Sequence, residues 1–519
     1  MADSITVTEQ LGARMTRVAS FLVTGKFISL IINLITFVII ARIIGPSSYG
    51  IYTIIMSIIS LFAGFGNPNL GGFISERVPK LISAKKPTEA KLVFGDTLLL
   101  TVFLGVALTA VAIASGSLLS TYALHNSSYT LTLDVGLLII LFSLLYYTLN
   151  YHLLSLNKGR SLAISAILHA VTQAVFGITL VFLGFGIIGA ISGFLFGLIF
   201  GSAYELYAIK TSIGIKISLN NFSKRIKKIL NFSKDLALSN ILYMATSNFS
   251  VIFLGLIVSS SLVGYYGIAS KIGSLIDVFV GAISLAILPM FSEAIYRKKQ
   301  GANPGKLFYF SIYLSLLFGI PMITVVLIFA KEIILLSLYT SYLSAVPYMQ
   351  LISIGIMIGI FGNYGTNFLI SSSKQSKILK FTAITMLGEA ISLFILTPIF
   401  GVLGMIIATV YVGSILSSVL YLNYLSKQGV ILHKNKLLLL LLSNLIFAAI
   451  ILPLNYIPFP SIGLLMGVIL SFVLYPIIAG KLNAITKKDV EIIKKASAGV
   501  PIFGKILAYI ASYTIKFCN

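Results

Sequence analysis

The sequence predicts an all-α polytopic membrane protein of fourteen transmembrane helices. They form two six-helix bundles related by a pseudo-twofold along the membrane normal, followed by two C-terminal helices. Three observations carry the helical membrane class, while an internal repeat and a family resemblance imply the arrangement in bundles. The 519 residues are 58% hydrophobic and only 10% charged, against about 25% charged in a typical soluble domain. Apolar runs of membrane-crossing length recur along the whole chain. The basic residues fall on alternate connections.

In order, the apolar runs cover approximately 18–44, 49–74, 92–116, 131–156, 162–184, 187–209, 235–258, 262–292, 307–330, 343–370, 378–398, 401–425, 437–455 and 459–480. Turn chemistry separates them, as in Gly-Pro-Ser-Ser at 45–48, Gly-Phe-Gly at 184–186 and Pro-Phe-Pro at 458–460. The first run is too long for a signal peptide's apolar core, and no small-residue cleavage site follows it. With the N-terminus inside, 33 of the 37 Lys and Arg residues fall on the inner side. Arg42 and Lys331 stay outside, and Lys26 and Lys271 lie within spans. That asymmetry places both termini in the cytoplasm.

The net charge of +23 would suit nucleic acid, but the cations sit in short loops between apolar spans, so no nucleic-acid partner is expected. The single cysteine, Cys518, excludes an internal disulfide. Asn126-Ser127-Ser128 is an N-glycosylation sequon in the one sizeable outer loop. The tail mixes Lys488, Lys494, Lys495 and Lys505 with Ile492, Ile493, Ile502 and Leu507, a pattern that fits either a segment lying along the inner membrane surface or a disordered basic tail.

The halves echo each other. At an offset of 214, IIGPSSYGIYTIIMSIISL (43–61) aligns with IVSSSLVGYYGIASKIGSL (257–275), placing Gly50 on Gly264 and Tyr52 on Tyr266. The expected division is an N-terminal bundle at 1–209, a basic cytoplasmic linker at 210–234, a C-terminal bundle at 235–425, helices 13 and 14 at 426–480, and the basic tail at 481–519. Transporters built from repeats hold their substrate between the halves.

The run A-R-I-I-G-P-S-S-Y-G-I-Y (41–52), with Arg42, Gly45, Pro46, Tyr49, Gly50 and Tyr52, resembles the signature A-R-x-L-G-P-x-x-Y-G-x-Y of Wzx-like polysaccharide flippases. Those proteins belong to the multidrug/oligosaccharidyl-lipid/polysaccharide (MOP) exporter superfamily. In the second half, Y-Y-G-I-A-S-K-I (265–272) and I-L-P-M-F-S (287–292) resemble that family's eighth helix. The resemblance implies a flippase in a prokaryotic plasma membrane. It would carry a polyprenyl-diphosphate-linked oligosaccharide from the inner to the outer leaflet, in company with the bilayer and other glycan-assembly membrane proteins. The peptidoglycan-precursor branch carries several arginines in its first helix. Here only Lys26 and the terminal Arg42 stand there, which points away from that cargo.

Ionisable groups inside membrane spans are costly and mark pathways. Lys26, Lys271, Asp277 and Glu389 are expected near mid-depth, with Asp96 and Glu205 nearer the inner surface. Lys26 and Asn33 share a helix face. Asn240, Tyr243 and Ser247 form a stripe, and His169/Gln173 and Asn363/Asn367 each lie one turn apart. These residues suggest a wet cavity, in which Lys26 and Lys271 would hold a diphosphate and Tyr146, Tyr147 and Tyr266 would face sugars. Amides at such positions also serve as interhelical glue. Asp277 and Glu389 fit either a counter-ion role or proton or sodium coupling. No cofactor or metal is expected.

Two rivals remain. An ion-coupled exporter of small organic solutes would want cavity acids to outnumber bases, whereas the mid-depth set holds two of each. A membrane enzyme of glycan assembly would want an Asp-x-Asp pair to ligate a divalent ion, and none occurs. The chain is therefore expected not to be an enzyme.

Overall fold

The structure is a computed structural model that describes residues 2–274, 291, 294–295, 303–372, 374–430, 434–487, 489–490 and 512–517. All regular structure among these residues is helical. The chain divides into two compact units, Met1–Gly264 and Tyr265–Asn519. The first holds α1 (Ala2–Phe65), α2 (Leu70–Ser83), α3 (Pro87–Ala114), α4 (Gly116–Ala123), α5 (Thr130–Ser155), α6 (Gly159–Leu180), α7 (Gly186–Ser212) and α8 (Phe222–Ile257). Helix α9 (260–274) crosses the boundary. The second holds α10 (Pro304–Ile328), α11 (Ala330–Leu338), α12 (Val346–Ser371), α13 (Gln375–Phe400), α14 (Val402–Ile406), α15 (Gly413–Ser426), α16 (Lys434–Ile451) and α17 (Pro460–Lys481).

Among the described residues, eleven stretches are long and apolar enough to cross a membrane, and two of these have double length: Thr24–Phe65 with 42 residues and Gly159–Ser212 with 54. Straight, they would reach roughly 60 and 80 Å, against a hydrocarbon core of about 30 Å. Both turn back instead. In α1 the break is Gly45, whose φ of 75° and ψ of 171° leave the helix immediately before Pro46. Before the break α1 runs parallel to α6, with Gly25 on Ala163 and Ile40 beside Gly177. After it the chain runs antiparallel to α8, with Ile54 on Gly255 and Gly64 on Met244. In the longer stretch Gly184 and Gly186 take positive φ, and α7 returns along α6, with Gly189 on Leu180, Gly193 on Gly177 and Gly197 on His169. Small residues at every fourth position let the two backbones meet directly.

One expected span differs, and another lies largely outside the described residues. The second span was expected over 49–74, but the helix ends at Phe65. Gly66, Asn67 and Pro68 then break it, and Asn69 takes a left-handed conformation before α2 begins. Hydropathy does not register this break, because the flanking residues stay apolar while proline removes a backbone donor. The eighth expected span, 262–292, is described mainly over 262–274.

Each unit has its own core. In the second, Phe308, Tyr313, Tyr364, Phe447 and Tyr475 are buried together, so α16 and α17 pack on α10 and α12. Tyr313 donates to the Ala484 carbonyl at 2.8 Å and Asn444 Nδ2 donates to Thr324 Oγ1 at 2.8 Å, which satisfies polar groups in the apolar interior. In the first unit the linker after α7 is strapped to α3. Arg225 grips the buried Asp96 through Nε at 2.6 Å and Nη2 at 2.8 Å, and also donates to the Ser218 and Asn220 carbonyls. The Asp96 carboxylate holds the Arg225 guanidinium above its ordinary value.

Candidate functional site

The signature residues build a turn and its packing. Tyr49 is 6% exposed, edge-on to Phe37 at 5.7 Å and 5.6 Å from Tyr52. Tyr52 packs against Ile40, Val181 and Ala190. Arg42 is half-buried. Gly50 has the sharpest requirement: a Cβ there would lie 1.7 Å from the Ser260 carbonyl oxygen, and one on Gly264 would lie 2.1 Å from the Pro46 carbonyl oxygen. The two contacts are reciprocal. Adding 214 to 46 and 50 gives 260 and 264, so the segments face each other as a local twofold pair. Ser47 Oγ and Ser260 Oγ, 2.9 Å apart, close the contact.

In the first unit the polar residues fall into two settings. Lys26 is exposed and makes no ion pair among the described residues. Its neighbour Gly25 rests on Ala163, in the second turn of α6. This packing puts Lys26 toward that end of the bundle, not at the expected mid-depth. Asn33 is half-buried, with Oδ1 enclosed and without a hydrogen-bond partner among the described residues. Asn240 is half-buried on α8, while Tyr243 and Ser247 of its stripe are exposed. Asn126 is exposed, and its Oδ1 accepts from the Ser128 N–H at 2.9 Å.

The second setting is a polar joint that sequence reasoning did not assemble. Glu205 of α7 is fully buried, accepting from Asn150 of α5 at 3.2 Å and Ser165 of α6 at 2.9 Å. Tyr146, expected to face sugars, instead stacks on His169 at 5.3 Å, with its ring against Gly201. Tyr147 is exposed. The spacing of 55 residues between Asn150 and Glu205 gives no periodic signal. Only the parallel packing of α5 on α7 unites them.

In the second unit Lys271 is exposed and forms no ion pair among the described residues. Its backbone carbonyl accepts from Ser274 Oγ at 2.7 Å. Tyr266 is half-buried on the same helix. Asp277 lies outside the described residues. Glu389 is half-buried on α13, with Oε1 where a Cβ on Gly413 of α15 would be only 1.8 Å away. Glycine at 413 therefore makes room for the carboxyl. Asn363 is exposed and Asn367 half-buried on α12. Among the described residues, no three His, Cys, Asp or Glu gather as a metal site would require.

Comparison with known proteins places this arrangement. Residues 39–347 match the family described as polysaccharide biosynthesis protein. A stretch of 150 residues is 27% identical to an uncharacterized membrane protein of Methanocaldococcus jannaschii, covering 28% of this chain but only 29% of that relative's length. Among solved structures, the lipid II flippase MurJ in an inward closed conformation superposes with a TM-score of 0.71 at 17% identity, covering 88% of this chain and 98% of that one. An inward-facing multidrug resistance MATE family transporter of the MOP superfamily gives 0.62 at 18% identity, over 80% and 98%. A MOP superfamily transporter from Pyrococcus furiosus, described as having a binding pocket of reverse polarity, gives 0.56 at 18% identity, over 80% and 94%. At such identities the likeness is one of fold.

Proposed function

We propose that this chain, which belongs to the polysaccharide biosynthesis protein family, is a flippase that moves a polyprenyl-diphosphate-linked oligosaccharide from the inner to the outer leaflet. The observation that carries the reading is a pair of lysines in the apolar runs expected to span the membrane, Lys26 near one end of the Thr24–Phe65 stretch and Lys271 on α9. Both are exposed and neither is neutralised by a carboxylate among the described residues. A charge kept in a membrane span without a protein partner is expensive, and an anionic cargo removes that expense when it binds. A diphosphate head cannot cross hydrocarbon unaided, whereas its polyprenyl tail can stay in lipid throughout. The protein's part is thus to offer cations and amides along a path, with no bond made or broken. The orientation with both termini cytoplasmic belongs to the same proposal, because it starts the cargo where lipid-linked sugars are assembled.

Export of small organic cations is the competing reading, since MATE-type transporters share the fold. Lysines without an ion pair among the described residues argue against it, because they repel such a cargo. The test is a deletion strain in which the leaflet position of the lipid-linked glycan is followed. Under the proposal the glycan is assembled but stays on the inner leaflet, and surface polymer is lost. A strain that assembles no lipid-linked glycan would assign the protein to synthesis. Lys26→Gln and Lys271→Gln should each reduce surface glycan sharply at normal protein abundance, and Lys→Arg should keep part of it. A charge pair at 4 Å is worth up to ~4 kcal/mol at an effective dielectric near 20, so a loss of well over tenfold is expected. Full transport by both glutamine variants removes the lysines from the mechanism.

A further inference from the structure

Three helices of the first unit converge on one carboxyl group. Glu205 has none of its surface exposed. Its Oε1 accepts two hydrogen bonds, from Asn150 Nδ2 on α5 and Ser165 Oγ on α6. Its Oε2 is equally enclosed and has no hydrogen-bond partner among the described residues. No ion pair among those residues includes it. An ionised carboxylate taken out of water without a counter-charge costs far more than two neutral donors return, so such groups neutralise. The lopsided bonding fits the neutral acid: the carbonyl oxygen collects both donors and the other oxygen carries the hydrogen.

We propose that Glu205 is a proton-binding site, which holds a proton on Oε2 in this conformation and exchanges it with water when the seam between α5, α6 and α7 parts. On release the O–H bond breaks and the proton passes to water. The carboxylate left behind keeps Asn150 and Ser165 as donors, and closing the seam returns the proton. The site would supply the transport reading with a coupling ion, and it rests on that reading for its purpose but not for its test. A joint with a purely structural role would be served as well by glutamine, which can accept the same bonds and never titrates.

The groups facing the site from each packed helix are consistent with a lone proton. From α5 comes Tyr146, stacked on His169 of α6. His169 Nε2 is enclosed and has no hydrogen-bond partner among the described residues, and the same holds for Ser202 Oγ, one turn before Glu205 on α7. His152 of α5 is turned to Thr97 Oγ1 at 2.8 Å. Lys26 of α1, Arg160 of α6 and Lys210 of α7 are exposed, and Tyr204 is half-buried. None of these cations forms an ion pair with the carboxyl.

The experiment is infrared spectroscopy on the full-length protein in lipid nanodiscs, with no transport substrate added, so its outcome is independent of the cargo. At neutral pH the wild type and Glu389→Gln should both show the C=O stretch of a buried protonated carboxylic acid, and Glu205→Gln should lack it. On transfer to D2O the band should shift as the proton exchanges. Ser165→Ala, which removes one donor from Oε1, should move the band without abolishing it and provides the reading if Glu205→Gln does not fold. Identical acid-region spectra for wild type and Glu205→Gln overturn the proposal. So does a Glu205 band that stays unshifted after prolonged D2O incubation, since that proton would be sealed in.

Discussion

Replacing Gly50 with alanine places a methyl carbon 1.7 Å from the Ser260 carbonyl oxygen, where ordinary contact begins near 3.4 Å. The 43–50 turn and the 260–264 segment must therefore separate by about 1.7 Å, the difference of those two distances. No flexible side chain can yield, because the opposing atom is backbone. Gly264→Ala asks for about 1.3 Å against the Pro46 carbonyl, from 2.1 to 3.4 Å. Overpacking of this kind costs typically 1–3 kcal/mol. For a unit of this size that lowers the melting temperature by about 2–4 °C per kcal/mol. Both substitutions load one contact, so the pair should cost less than the sum, the first having opened the gap that the second needs. The assay is thermal melting of the detergent-solubilised protein, followed by loss of the monodisperse chromatographic peak, for the parent, both single variants and the double variant. If Gly50→Ala melts with the parent, the backbone contact does not exist in solution. If the double variant loses the full sum, the two glycines do not share it.

Other expectations follow from the same geometry. In a Cys518→Ser background, Ser47→Cys with Ser260→Cys should form a disulfide on mild oxidation, since the native hydroxyls are 2.9 Å apart, read as a linked band after proteolysis in the 210–220 linker. Arg225→Ala should destabilise the first unit by roughly 3 kcal/mol, because it strands the buried Asp96 carboxylate. Adding Asp96→Asn should restore much of the loss in the same melting assay. Gly193→Leu should abolish the folded peak, since even a Cβ there would lie 2.3 Å from the Gly177 Cα. Cysteines at Ser127 and Ser341 should react with an impermeant thiol reagent added outside cells, and cysteines at Ser223 and Ser373 should not. The reverse labelling would invert the orientation.

Helix existence was legible in the sequence because lipid leaves the backbone no alternative to internal hydrogen bonding, so among the described residues most apolar runs are helical. The breaks at Gly45-Pro46 and at 184–186 were legible for a second reason. Proline and consecutive turn residues act locally, and the structure puts positive φ at Gly45, Gly184 and Gly186. The Gly66–Asn69 break was missed because hydropathy averages over it. For the candidate site the sequence offers only single residues that stand out, as Lys26 and Lys271 do by their charge. Glu205 could be noticed as a buried acid, but its partners Asn150 and Ser165 lie 55 and 40 residues earlier on other helices. No pattern on one helix names them.

That spacing of 55 bears on the internal repeat more strongly than the aligned residues do. In the first unit α5 and α7 run parallel, meeting at Gly136 with Ile191, Gly201 with Tyr146 and Asn150 with Glu205, each pair 55 apart. In the second unit α12 packs along the 407–412 stretch and α15, meeting at Gly355 with Val410, Gly359 with Ser414 and Gly362 with Ser417, again 55 apart. In each case the helix between them folds back on the later one, Gly193 on Gly177 in the first unit and Gly413 on Glu389 in the second. Apolar helices can match by chance in composition, yet chance does not fix the register at which two helices pack across an intervening hairpin. A one-turn slip in either unit would change the spacing by three or four. Duplication of an ancestral bundle accounts for the shared register directly. It also predicts that deleting three residues from the α6–α7 turn in the first unit, or from the α13–α14 turn in the second, should lower the melting temperature in both cases. If the two deletions differ, with one tolerated and the other lethal to folding, the shared register is coincidence.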